Sequence, residues 1–166
     1  MKVYNVHTRT VHGPKKDLSR ILETLATKDD KVWPRENWPP MRFKESLRVG
    51  SIGGHGPIGY VVKERLKGEF VRFEFLRPKG FIGIHEFIIE EVKANETMIT
   101  HIIDMKTVGI DTLKWILVIR PLHNALTEDA LDKIENHFLE EKKRSRHSPW
   151  VVLWRRLLTP KPKKRT

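Results

Sequence analysis

The pattern of apolar and polar positions opens with a strand followed by a helix. Residues 2–12 alternate between the two classes, as a half-buried strand does. A helix is then predicted to begin at Gly13-Pro14, because proline is favoured at the start of a helix. Its apolar positions have the i, i+3, i+4, i+7 spacing of an amphipathic helix and are Leu18, Ile21, Leu22 and Leu25.

Five strand-like runs follow a proline-rich turn and a glycine-rich loop. Three prolines within residues 33–41 favour a short turn, and five glycines within residues 50–59 indicate a loop. Tight turns separate the runs that come next, so the sequence predicts an antiparallel meander rather than a parallel sheet with crossover helices. The predicted strands are residues 58–66, 69–77, 81–91, 97–106 and 112–120.

A last helix is predicted over residues 127–144. Leu131, Ile134 and Phe138 would face inward, and Glu128 and Asp129 lie favourably in the first turn. A long antiparallel sheet curls, and its apolar face needs a cover that this helix can supply. The predicted fold class is therefore α+β, with a curved antiparallel sheet wrapped around a long C-terminal helix.

Charged positions on each strand, such as Lys63 and Arg65 in residues 58–66, assign the outer face, and the remaining positions form an inner face that is mostly aromatic and aliphatic. Aromatic walls with a few polar groups among them are typical of a small-molecule pocket. A plain core with hydrogen-bonded polar residues is the alternative. Three inward ionisable groups, Glu64, His85 and His101, favour the pocket, because burying them in a core would carry a desolvation cost. The predicted ligand-binding residues are Tyr60, Val62, Glu64, Val71, Phe73, Phe75, His85, Phe87, His101, Ile103, Trp115, Leu117 and, from a loop, His123.

The candidates for acid–base catalysis are Glu64, His85 and His101. The predicted register pairs Val62 with Phe73 and sets His85 opposite Met105. It places His85 and His101 about 13 Å apart, too far to share a metal ion, and Glu64 about 12 Å from His85. Residues 54–59 match GxGxxG, but a strand follows them instead of the helix that a dinucleotide site requires. We therefore predict no metal and no cofactor.

Composition and charge define two parts of the chain. There is no cysteine, which excludes disulfides and a cysteine nucleophile. Residues 142–166 hold ten Lys or Arg and no acid, whereas residues 1–141 hold 22 bases and 21 acids. We expect a nearly neutral domain over residues 1–141 and a basic appendage over 142–166. With no apolar run of about 20 residues and no signal-like N-terminus, a cytoplasmic protein is expected.

The appendage contains a predicted amphipathic helix that begins at Ser148-Pro149. Basic residues flank and interrupt its apolar face, Arg155 and Arg156 among them. Such a helix suits an anionic bilayer surface, and docking on the protein's own body or on a second copy is an equal alternative. Nucleic acid would leave the apolar face unexplained and ranks third. The predicted apolar face consists of Trp150, Leu153, Trp154, Leu157 and Leu158.

Three stretches, GGHGPIGY (53–60), GFIGIHEF (80–87) and RPLHNALTEDALD (120–132), resemble those of the START-like helix-grip superfamily, often called SRPBCC. Its bacterial members are labelled polyketide cyclase/dehydrase or lipid-transport proteins. The resemblance covers residues 1–140 and implies a hydrophobic ligand cavity between the sheet and the C-terminal helix.

The leading functional hypothesis is binding, carriage or sensing of a hydrophobic or aromatic small molecule. The first alternative is a cyclase- or dehydratase-type enzyme that uses Glu64, His85 or His101 as acid or base. The second is a membrane- or nucleic-acid-associated adaptor that acts through the basic tail. The resemblance does not choose among them, because the superfamily mixes carriers, sensors and enzymes.

Overall fold

The computed structural model describes residues 1–158, and only the backbone of Leu158. The last four basic residues of the appendage, Lys161, Lys163, Lys164 and Arg165, lie outside the described residues. The strands are β1 (Lys2–Val11), β2 (Arg42–Leu47), β3 (Ile52–His55), β4 (Ile58–Leu66), β5 (Phe70–Arg77), β6 (Phe81–Lys93) and β7 (Glu96–Thr107). The helices are α1 (Lys15–Leu22), α2 (Ile110–Lys114), a π-helical turn (Trp115–Ile119), α3 (Arg120–Glu135) and α4 (Pro149–Leu158).

The seven strands form one antiparallel sheet in the order β1-β7-β6-β5-β4-β3-β2. The predicted fold class is confirmed, because α2, the π-helical turn and α3 form one long helix that covers the curved sheet. Leu131 and Ile134 of α3 are fully buried, as predicted. The smaller helix α1 buries Leu18, Ile21 and Leu22 and contacts β6 and β7.

The predicted strand over residues 112–120 was wrong, because this segment is helical and belongs to the long helix. A short run of Ile, Val and Leu does not distinguish a strand from a buried helix by itself. The helix buries Trp115 at an inner position, but Leu113 and Leu117 are exposed. Leu117 is therefore not the inward ligand-binding residue that alternation predicted. At its other end the long helix stops at Glu135 rather than near residue 144.

The glycine-rich segment is also more ordered than predicted. Residues 50–59 contribute β3 and the start of β4, joined by a tight turn at Gly56-Pro57. Gly54 has a φ of 153° and lies so close to the β4 backbone that a Cβ would collide with the Ile58 carbonyl oxygen. Glycine thus permits the close strand pairing here, where the sequence was interpreted as a loop.

A β-bulge in β4 turns Glu64 to the outside of the sheet. Val62 pairs with Phe73 as predicted, but the pairing then shifts, so that Glu64 lies opposite Arg72. The Glu64 carboxylate accepts a hydrogen bond from Arg72 at 2.6 Å and its side chain is more than half exposed. The bulge inserts one residue and reverses the alternation beyond it. Arg65, predicted to point outward, pairs instead with Glu23 beside α1.

A second bulge sets the register of β6 against β7. Ala94-Asn95 forms the turn and Asn95 has a φ of 61°, while Val92 is left without a partner between the Glu91–Thr97 and Lys93–Glu96 pairs. In the resulting register His85 pairs with Ile103 and Phe87 with His101. The predicted register, with His85 opposite Met105, was wrong by two residues.

The chain beyond α3 folds back over the long helix. Lys143 bonds to Glu135, and the Ser145 N–H donates to the Asp132 carboxylate at 2.6 Å. The helix α4 begins at Pro149, where the Ser148-Pro149 pair predicted it, and buries Val151. No helix within residues 1–158 is both long and apolar enough to cross a lipid bilayer.

Candidate functional site

A cavity of about 300 Å³ lies between the concave face of the sheet and the long helix. Strands β4 to β7 supply the sheet side of its wall, and the long helix supplies the opposite side. The sheet-side residues include Tyr60, Phe75, Phe81, His85, Phe87, His101 and Ile103. The helix-side residues include Trp115, Val118, Ile119, Leu122, His123 and Leu126.

Three histidines form a row along one side of this cavity. The ring centroids of His85 and His101 are 5.7 Å apart, and those of His101 and His123 are 5.1 Å apart. Aromatic rings hold each imidazole in place: Phe73 stacks on His85 at 4.7 Å, and Phe87 meets His101 edge-on at 4.6 Å. The wide separation predicted for His85 and His101 was therefore wrong, because it assumed the register that the bulge in β6 changes.

Four polar atoms of the cavity wall are buried without a hydrogen-bond partner among residues 1–158. They are the Tyr60 hydroxyl, His85 Nε2, His101 Nδ1 and His123 Nδ1. Buried polar groups in proteins are ordinarily hydrogen-bonded, and leaving one unpaired costs about 1–3 kcal/mol. The cavity wall therefore presents four polar atoms that are free to bond to a molecule inside the cavity.

Burial keeps these imidazoles in the neutral form. It lowers the pKa of His123 to about 3, and that of His55, at the turn beside the cavity, to about 4. Burial, reinforced by the neighbouring imidazoles, also holds the pKa of His85 and of His101 well below the usual range. A neutral imidazole has one donor and one acceptor nitrogen, so the row offers a ligand both kinds of hydrogen bond.

Several predicted ligand-binding residues line the cavity and others do not. Val62, Val71 and Phe73 are buried in the core without lining it, and Glu64 and Leu117 face solvent. Because Glu64 lies on the opposite face of the sheet, it is excluded as an acid or base for this cavity. The predicted residues that do line the cavity are Tyr60, Phe75, His85, Phe87, His101, Ile103, Trp115 and His123.

Sequence reasoning missed one end of the cavity. Trp33, Trp38 and Pro39, from the segment that the sequence identified only as a turn, line it. Two tryptophans within a proline-rich segment were the available signal, since such large side chains are rarely left in solvent. Arg155 of α4 also lines the cavity, with its guanidinium 5.8 Å from the Trp38 ring.

The tail is bonded to the body beside this end of the cavity. Asp129 of α3 accepts a hydrogen bond from the Trp38 indole at 2.7 Å and lies 3.0 Å from Nε2 of His147. Of the predicted apolar face of α4, Trp154 is half-buried, whereas Trp150, Leu153 and Leu157 are exposed. The side chain of Leu158 lies outside the described residues.

The titratable side chains described by the structure include no cluster of three His, Asp or Glu that could hold a metal ion. The histidine row has the right residue type for metal binding but not the arrangement. Nitrogen ligands must converge to about 2 Å from one ion. These rings lie side by side along the cavity wall instead.

The fold is shared with several solved structures. Norcoclaurine synthase from Thalictrum flavum, solved in complex with dopamine and hydroxybenzaldehyde, aligns with a TM-score of 0.59 at 13% identity, over 86% of this chain and 91% of that one. CalU16 from Micromonospora echinospora aligns with a TM-score of 0.59 at 12% identity, over 94% of this chain and 83% of that one. XoxI from Bacillus cereus aligns with a TM-score of 0.58 at 11% identity, over 83% of this chain and 96% of that one.

These neighbours have the helix-grip fold, and the described chain has it too. At identities this low the likeness concerns the fold alone. No family model and no curated protein matches the chain.

Proposed function

We propose that this protein belongs to the START-like helix-grip superfamily. We further propose that it carries or senses a compact, largely apolar or aromatic molecule with a hydroxyl or carbonyl group. The observation that carries the proposal is the set of unpaired buried polar atoms around an otherwise apolar cavity. The ligand's ring system would contact the aromatic wall, and its polar group would bond to the histidine row.

The size and chemistry of the cavity limit the ligand class. A volume of about 300 Å³ is at the lower end of the range for small-molecule pockets, so it favours one or two fused rings over a long-chain lipid. The neutral imidazoles and the Tyr60 hydroxyl offer donors and acceptors but no charge. The wall also includes the basic side chains of Arg155 and of Lys114, which is paired with Asp111, so a neutral phenol or ketone fits better than an amine.

A solved neighbour supports this ligand class. Norcoclaurine synthase was solved with dopamine and hydroxybenzaldehyde, which are both phenols with a single aromatic ring; hydroxybenzaldehyde, unlike the amine dopamine, has no basic group. The same fold can therefore enclose compact hydroxylated aromatics. The likeness supports the size of the ligand in this chain and says nothing of its identity.

The same geometry favours binding over acid–base catalysis. An efficient general base has a pKa near the working pH, and burial lowers the pKa of His85 and His101 far below neutrality. Glu64, the other predicted acid or base, is on the outer face of the sheet. The protein is thus proposed as a binding protein in which the histidines orient the ligand.

Paired probes that differ in one hydroxyl group test the proposal. We expect 2-naphthol to bind the wild-type protein about fivefold to tenfold more tightly than 2-methylnaphthalene, because each net hydrogen bond contributes about 1 kcal/mol. His85→Phe and His101→Phe should reduce this preference to less than twofold in at least one of the two variants. Equilibrium dialysis measures both probes, and native mass spectrometry of the purified protein reveals any ligand already present.

His12→Phe is the matched control, since the His12 side chain is 77% exposed and lies outside the cavity. It should keep the full preference for 2-naphthol. The proposal fails if the wild-type protein binds neither probe. It also fails if both cavity variants keep the wild-type preference while remaining folded.

A further inference from the structure

Six exposed apolar side chains lie on the outside of the long helix and α4. We name this set the apolar platform. Leu113, Ile116 and Leu117 have the i, i+3, i+4 spacing of one helical face, and the α4 residues lie on one face at i, i+3, i+7. Exposed fractions run from 43% at Ile116 to 67% at Leu157. The platform consists of Leu113, Ile116, Leu117, Trp150, Leu153 and Leu157.

A hydrogen bond joins the two halves of the platform. The Trp150 indole N–H donates to the Leu117 carbonyl oxygen at 3.0 Å. In a regular α-helix that carbonyl would accept from the N–H of residue 121, which is a proline and has none. The chain has widened into a π-helical turn there, with the Arg120 N–H bonded to the Trp115 carbonyl. Trp150 thus supplies a donor at a position where the helix lacks one.

The orientation of α4 leaves several of its apolar side chains facing outward. Val151 is buried against the body, and Arg155 turns to the cavity and to Trp38. Leu153 and Leu157 lie on the opposite side and remain in solvent. The helix is therefore held on the body by one face, while a second apolar face stays uncovered. Exposed apolar surface of this kind is typical of an interaction site.

The charge around the platform distinguishes between the partners that could bind there. The tail has ten bases and no acid over residues 142–166, and Arg156 is exposed beside Leu157. Over residues 110–120 of the long helix, Lys114 and Arg120 are exposed, and Asp111, the one acid in that stretch, is buried and bonded to Lys114. A second copy would bring the same positive charge against itself in a two-fold interface, which is unfavourable. Tryptophan and leucine next to Arg and Lys suit the interface of an anionic bilayer.

We propose that the protein docks reversibly on anionic membranes through the apolar platform, with the basic tail bound to the lipid headgroups. Lys114 and Val118 of the cavity wall follow Leu113 and Leu117 in sequence, and Arg155 lies between Leu153 and Leu157. Docking in this orientation brings that side of the cavity to the bilayer surface. An apolar ligand would then exchange between bilayer and cavity; this last step alone rests on the proposed function.

Co-sedimentation of the full chain with vesicles tests the docking. The anionic vesicles contain phosphatidylcholine and phosphatidylserine in a molar ratio of roughly seven to three. We expect binding to them at least tenfold tighter than to pure phosphatidylcholine. It should weaken at least fivefold between about 50 and about 500 mM salt, as electrostatic attraction to anionic lipid does. Leu117→Ser combined with Leu153→Ser should weaken it at least tenfold, because half-exposed leucines are removed without opening the core.

Leu66→Ser combined with Ile82→Ser is the matched control, since both side chains are similarly exposed but lie on strands outside the platform. It should bind vesicles as the wild type does. If the platform variant unfolds by circular dichroism, Leu157→Ser at the most exposed position replaces it and should weaken binding at least threefold.

Three outcomes would overturn the proposal. One is the absence of binding to anionic vesicles, and another is equal binding by the folded platform variant and the wild type. The third is a concentration-dependent dimer in sedimentation velocity that the platform variant abolishes, because a second copy would then occupy the platform. None of these results depends on whether the cavity binds 2-naphthol, so the two proposals fail separately.

Discussion

The inner face of α3 divides into two regions that treat buried polar groups in opposite ways. In its first turns it faces the cavity, where His123 Nδ1 and the neighbouring His101 Nδ1 are buried without partners among the described residues. In its later turns it faces β1, where Asp132 and Glu135 are equally buried but fully paired with Arg9. Both regions lie between the same helix and the same sheet. They differ in what occupies that space, which is a cavity in the first region and a network of paired side chains in the second.

In the paired region, one guanidinium serves three carboxylates. Arg9 donates to Glu128 at 2.9 Å and to Asp132 at 3.0 Å, and it also contacts Glu135, which Lys143 reaches at 2.6 Å. Burial by itself would raise the pKa of Glu135, but the hydrogen bonds from Lys143 and Arg9 outweigh it and lower that pKa. A network satisfied in this way is structural, whereas the unsatisfied row beside the cavity supports the ligand site that we propose.

The largest expected effect comes from breaking the paired region. Arg9→Leu leaves the buried carboxylates of Asp132 and Glu135 without their main partner, and removing one member of a buried ionic network costs about 3 kcal/mol or more. We expect a loss of about 3 kcal/mol in the free energy of unfolding at pH 7, measured by urea denaturation. Arg20→Leu, which removes an exposed pair with Asp17, should cost less than about 0.5 kcal/mol. Equal losses in the two variants would contradict the division into regions.

Acid titration of stability gives an intermediate effect in the unpaired region. Because burial holds the pKa of His101 below its ordinary value of 6.5, the unfolded chain takes up a proton first as the pH falls. Stability that is present above pH 6.5 is therefore lost on acidification, by up to about 1.4 kcal/mol per pH unit for each such histidine.

His101→Phe should make this loss between pH 6.5 and 5 shallower, by up to about 2 kcal/mol in total. Urea denaturation at each pH measures it. A slope unchanged by His101→Phe would mean that its imidazole takes up protons in the folded protein.

The smallest effect concerns the outer face of the sheet. Glu64→Gln removes half of an exposed ion pair with Arg72, so the free energy of unfolding should change by less than about 0.5 kcal/mol. The affinity for 2-naphthol should not change, because Glu64 lies on the opposite face from the cavity. A tenfold change in that affinity, measured by equilibrium dialysis, would mean that Glu64 reaches the ligand after all.

The candidate site was predictable in kind but not in arrangement. Tyr60, His85, Phe87 and His101 were correctly placed on the inner face, because side chains of a strand alternate with period two and the charged positions mark the outside. Their partners on β5 were also correct, but the pairing between β6 and β7 was not, since the bulge there leaves no clear mark in the hydrophobic pattern. The contact between His85 and His101 depends on that register and was missed.

The sequence by itself determined the strands β1 and β4 to β7, the α+β class, the start of α4 and the separation of a nearly neutral body from a basic tail. These features follow from local periodicity, capping residues and composition. Only the tertiary structure decided that residues 112–119 are helical, that Glu64 faces outward and that three imidazoles meet in one cavity. A short apolar run fits both the two-residue period of a strand and the 3.6-residue period of a helix. Which one forms depends on the surface that buries it, and here the segment packs on the concave sheet as a helix.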